Sequence, residues 1–145
     1  MATVFDVAKY ILDKTGPIST MKLQKLVYYS QAWSLVWDEA PLFNEPIQAW
    51  ANGPVCPDLY YAHKGAFTIE SSNIPGNVDN LSKNQKDTID IVVDTYNKYK
   101  SSDLSAQTHR ERPWIDARRR SGAIEGERSN EIIPLDEMQA YYESL

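Results

Sequence analysis

Residues 19 to 37, STMKLQKLVYYSQAWSLVW, constrain the fold more than any other stretch of this chain. Ser19 is placed as a helix N-cap with Ile18 and Leu23 positioned as a hydrophobic staple. Leu23, Leu26, Val27, Ser30, Trp33 and Trp37 recur at helical spacing, which puts both tryptophans on the core stripe. Tyr28, Tyr29, Leu35 and Val36 carry the apolar surface past one face. A helix that is apolar on more than one side has to be enclosed by its neighbours. The spacing therefore predicts a central helix over about 19–37 with the other elements packed around it.

Those elements have their own start and stop signals. Thr3 with Asp6 caps a first helix whose apolar face is Val4, Phe5, Val7, Ala8, Ile11 and Leu12, and Gly16 with Pro17 ends it. Ile47 to Trp50 alternate as a short strand, Asn52 and Gly53 turn the chain, and Pro57 with Asp58 opens a short helix that Gly65 ends. Phe67 to Glu70 read as a second strand. Ser82 and Gln85 form a capping box for a helix to about Lys100 with Ile89, Val92, Val93 and Tyr96 inward, broken by Ser101 and Ser102. A short helix through Leu104 leads to Pro113, which restarts the chain, and Gly122 follows the arginines. Ile132 and Ile133 suit a last strand, and Pro134 opens a final helix docking through Leu135, Met138, Tyr141, Tyr142 and Leu145. The expected architecture is a mainly helical α+β domain, compact around the 19–37 helix, with a small antiparallel β-sheet that includes residues 47 to 51.

With 145 residues, 42% of them hydrophobic, the chain reads as one domain over 1–145 with enough apolar material for a core of its own. No apolar run reaches the roughly 18 residues of a membrane span, and the N-terminus lacks a basic-then-apolar signal pattern, so the cytoplasm is the expected compartment. The single cysteine, Cys56, excludes an internal disulfide and a multi-cysteine zinc site.

Catalytic chemistry is thinly represented. Cys56 has no basic neighbour and reads as a small packing residue. His63, near the end of a short helix, reads as a solvent-facing cap that complements the dipole. His109 has Glu111 and Asp116 close in sequence, but the two histidines lack metal-ligand spacing, and neither a Walker loop nor a GxGxxG is present. No enzyme activity, cofactor or metal is expected; an enzyme using His109 with Glu111 is the last of three readings.

Three ordered blocks carry a resemblance: MKLQKLVYYSQAW, PLFNEPIQAWANGPVCPDLYYAHKG and THRERPW. In this order and spacing they resemble the Panacea, or SocA-like, antitoxin domain, a resemblance that covers most of the chain. Asn52 stands where that pattern commonly has an aromatic residue, and Arg118 to Arg120 lie outside it. The resemblance implies a protein that neutralises a cognate toxin in a two-gene module of bacteria or phages. It also implies an adaptor role toward a ClpXP-type protease. Some members fuse the domain to a DNA-binding segment, for which this chain is expected to have no room.

The residues supply their own candidates for the partner surface. Trp50 is a large amphipathic group on a short strand, followed by Asn52, Gly53, Pro54 and Val55, with Gly53 and Pro54 fixing the turn. All six arginines fall between Arg110 and Arg128, and Arg118, Arg119 and Arg120 are consecutive. They read either as a solvated helix end or as a site for an acidic partner or a phosphate, to which the guanidinium fork is matched. In either case reversing Arg118 and Arg119 to Glu is expected to leave the domain folded, and against an acidic partner to weaken neutralisation. A nucleic-acid or nucleotide binder acting through Arg110–Arg128 is the alternative function, opposed by a net charge of −5 and the lack of a binding motif. In THRERPW, the expectation for His109, Glu111, Pro113 and Trp114 is structural: Thr108 and His109 bond backbone at a helix junction with Trp114 packed beneath.

Overall fold

The computed structural model describes residues 2–145. Helix α1 spans Val4–Thr15, strand β1 Ile18–Ser19, helix α2 Thr20–Trp37, strands β2 and β3 Gln48–Trp50 and Gly53–Val55, and helix α3 Pro57–His63. Strand β4 is Thr68–Ile69, and helices α4 to α7 are Lys83–Tyr96, Ser101–Thr108, Arg112–Ser121 and Leu135–Glu143. The mainly helical fold with a small antiparallel part is as expected, and α2 is its axis. Its residues 23 to 32 are all buried, and α1, α4, α5, α7 and β3 pack around it.

A helix enclosed on every side has to satisfy its buried polar groups, and α2 does so by holding irregular chain. Gln24 and Gln31 lie two turns apart on one face. Gln31 donates to the Phe43 carbonyl and accepts from Leu42 N–H, at 2.9 and 2.7 Å. Gln24 accepts from Cys56 N–H at 2.9 Å and donates to the Cys56 carbonyl at 3.3 Å. The segment between these straps, residues 42 to 56, carries the hairpin described below. Asp6 does the same for another loop: besides closing the capping box with Thr3, it accepts from Asn77 N–H at 2.7 Å and from the Asn80 amide at 3.3 Å.

Opposite the straps, Tyr29 and Tyr142 both donate to the buried Glu111 carboxylate at 2.8 Å, and the Tyr28 hydroxyl lies 3.0 Å from that of Tyr142. One carboxylate thus joins α2, α7 and the start of α6. Burial pushes the Glu111 carboxyl above its usual range, while the hydroxyl and amide donors from Tyr29, Tyr142 and Gln107 oppose the shift.

Several expectations are corrected. Trp37 is 46% exposed; it stacks on the half-buried Trp33 at 5.1 Å instead of entering the core, because α2 outruns the elements that cover it. Leu135 and Leu145 are exposed, and Met138 and Tyr142 alone dock α7 fully. Helix α4 ends at Tyr96, and Ser101 and Ser102 open α5 instead of breaking α4. Residues 53 to 55 are not turn but the return strand β3, paired with β2. Strand β4 pairs with β1, so the strands make two small antiparallel sheets instead of one. The 131–133 segment does join β2 from the other side: Gln48 bridges Ile132, Ala49 N–H donates to the Glu131 carbonyl and Ile133 N–H to that of Ile47, both at 2.8 Å. Among the described residues no helix is long and apolar enough to cross a membrane.

Candidate partner-binding site

The hairpin β2–β3 turns through Ala51 and Asn52. Neither has a positive φ, so the tight return falls on Gly53 at φ +122°. Glycine is required there twice over. A Cβ at Gly53 would lie 2.5 Å from Lys25 Cε and 3.0 Å from Thr108 Oγ1, in a backbone region that other residues rarely adopt.

Four side chains from three helices hold the hairpin by its carbonyls. Arg118 of α6 donates to Ala49 at 3.2 Å, Trp114 of α6 to Trp50 at 2.8 Å, Ser105 of α5 to Asn52, and Lys25 of α2 to Pro54 at 3.1 Å. Backbone groups that a hairpin would otherwise leave to water are fixed from within, so the turn is preorganised. Of the four donors only Trp114 belongs to the THRERPW block, whose other residues pack about it. Thr108 Oγ1 caps the Ser105 carbonyl at 2.7 Å, the His109 ring stacks on Trp114 at 3.9 Å and 6°, and the Arg118 guanidinium lies 5.3 Å from the centre of the Trp114 ring. Pro113 and Glu111 are buried beneath. His109 Nε2 is buried without a partner, and burial, then the charges of Lys25 and Arg118, hold its pKa below the usual imidazole value.

Lys25 is completely buried on α2, and desolvation pushes its ammonium down to about 7. Nothing in the residue pattern singled it out, because it sits among apolar neighbours where a lysine is read as the polar face. His63 is corrected too. It is buried, its Nε2 is 3.0 Å from the Gln24 amide, and burial lowers its pKa. Cys56 is buried as expected, and burial pushes its thiol up to about 11, which removes it as a nucleophile at neutral pH.

The expected partner residues divide by exposure. Asn52 at the tip is exposed and Trp50 is half-buried, its indole donating to Gln48 at 2.9 Å. Gly53, Pro54 and Val55 are buried and shape the tip from behind. Of the consecutive arginines, Arg118 is buried and also donates to the Ile124 carbonyl at 2.9 Å, so it belongs to the frame and not to a solvated helix end. Arg120 is tied to Glu137 at 3.0 Å and lies 3.8 Å from Glu131. Arg119 is exposed, with Asp116 at 3.7 Å, and faces the same hollow as Ala51, His109 and Trp114. Tip and Arg119 are therefore neighbours, which their separation in sequence did not reveal.

A second hollow, about 280 Å³, opens on the other flank of the tip between Trp50, Val55, Tyr60 and Met21, with Arg128 and Asn130 at its edge. Met21 and Tyr60 were not legible as site residues, and Arg128 only as one of the arginine cluster, because the segments that bear them meet only in the folded chain.

Fold and site together define a helical domain that displays a rigidly framed β-hairpin flanked by arginines. The model of the Antitoxin SocA-like, Panacea domain family matches residues 23–115, more than half of the chain, and the chain belongs to that family. A stretch of 58 residues is 43% identical to Antitoxin SocA from Caulobacter vibrioides (strain NA1000 / CB15N), covering 37% of this chain and 31% of that protein. The match thus spans about a third of the length of that relative. No solved structure matches.

Proposed function

We propose that this chain is an antitoxin-like module that binds and neutralises a cognate toxin encoded by a neighbouring gene, meeting it with the Trp50–Asn52 tip and the exposed Arg119. The observation that carries the reading, beside the family, is the frame of four side-chain donors. A turn held in place by buried groups loses little conformational freedom on binding, and it presents an aromatic next to cationic groups, the combination that dominates interface energetics. Delivery of the toxin to a ClpXP-type protease is a further part of the proposal. A nucleic-acid reading fits less well, since Arg118 is buried and Arg112 and Arg120 each face a carboxylate of the chain itself.

Co-expression with the neighbouring gene product tests it. The chain is expected to rescue growth, and Arg119→Glu combined with Asn52→Glu is expected to weaken rescue while the melting curve stays in place, because against an acidic partner surface reversal turns attraction into repulsion. Failure of the unaltered chain to rescue would sink the reading.

A further inference from the structure

We infer that the hollow between Trp50, Val55, Tyr60 and Met21 receives one apolar side chain of the partner, with a carboxylate close beside it in the partner's sequence seated on Arg128. The inference rests on the toxin-binding reading and adds the chemistry of the occupant.

The walls are apolar and ordered. Trp50 meets Tyr60 edge to face at 4.9 Å and 65°, a geometry that holds both rings in place. Gln24 at the floor is engaged at both ends of its amide, the oxygen accepting from Cys56 N–H and the nitrogen contacting the Cys56 carbonyl and His63 Nε2. A floor whose polar groups are already partnered favours hydrocarbon over a polar group. The free polar groups stand at the rim. Among the described residues the Arg128 side chain takes part in no ion pair or hydrogen bond, unlike those of Arg112, Arg118, Arg119 and Arg120; Arg110 is also free but does not line this hollow, whereas the unpartnered side-chain amides of Asn52 and Asn130 do. A free guanidinium fork with two amides on the same hollow matches a carboxylate. At about 280 Å³ the space lies just below the range of small-molecule sites, roughly 300 to 1,000 Å³, and suits one large side chain better than a nucleotide.

A random linear-peptide display library, selected on the full chain, tests this directly. The selected peptides are expected to share a Leu, Met or Phe within two positions of an Asp or Glu. Arg128→Glu is expected to weaken their binding at least tenfold without moving the melting curve, because Arg128 is exposed and unbonded. Met21→Glu, at the second position of α2 where a carboxylate suits the dipole, is expected to weaken binding by a similar factor through the other wall. Recovery of no peptide, a consensus without a carboxylate, binding indifferent to both variants, or displacement of the peptides by a mononucleotide would each overturn the inference. The two readings separate in the co-expression assay. Wild-type rescue retained by Arg128→Glu sinks the hollow and leaves the antitoxin reading standing, whereas no rescue by the unaltered chain sinks the antitoxin reading whatever the peptides do.

Discussion

Lys25 is a lysine whose chemistry departs far from its type. Its ammonium is fully buried with Pro54 O as its acceptor, and the shift from 10.5 to about 7 is caused by desolvation. Between these values the unfolded chain holds a proton that the folded chain has released, so stability should rise with pH from about 7 to about 10, by at most about 5 kcal/mol. Below pH 7 both states are protonated and the cost of burying the charge is fully present. Urea midpoints measured across this window should climb for the native chain and stay flat in that respect for Lys25→Met. A climb of equal size in the variant would place the titration elsewhere.

At the scale of elements, α6 and the hairpin form one unit, because two consecutive turns of α6 donate to consecutive hairpin carbonyls. Arg118→Ala removes a buried donor and leaves the Ala49 and Ile124 carbonyls without it, for an expected loss of about 2 to 4 kcal/mol, whereas Arg119→Ala, one residue on and exposed, should stay within about 0.5 kcal/mol. Equal urea midpoints for the two variants would show that the frame contributes nothing. Reversal of Arg118 together with Arg119 is expected to unfold the domain, contrary to what the run of arginines suggests when read as surface.

For the whole molecule, Glu111 and its tyrosines couple the two ends of the chain, since Tyr142 lies 114 residues from Tyr28 and shares its hydroxyl contact. Tyr142→Phe keeps the packing of α7 on α2 and removes one donor from the buried carboxylate, an expected cost of about 1 to 3 kcal/mol. It also leaves Glu111 ionised with less support, so the loss should shrink as the pH falls and the carboxyl takes up its proton. A loss independent of pH between 4 and 8 would show that the hydroxyl matters only for packing.

Much of the architecture was legible because its signals are local. The capping boxes at Thr3 and Ser82, the stop at Gly16, Pro57 at the start of α3, and the breadth of the apolar surface on 19–37 each act within one or two turns, and each holds in the structure. Trp50 and Asn52 were legible as residue types at a turn. Whether an arginine or a histidine is surface or interior was not, because exposure depends on what another segment places over it. Arg118 is covered by the hairpin and the 123–124 loop, His63 by α2, and Trp37 by nothing comparable. The sequence alone determined which segments are helices and which helix lies at the centre. The tertiary structure alone decided that Lys25, Ser105, Trp114 and Arg118 converge on one hairpin, since carbonyls that distant donors satisfy carry no mark in their own residues.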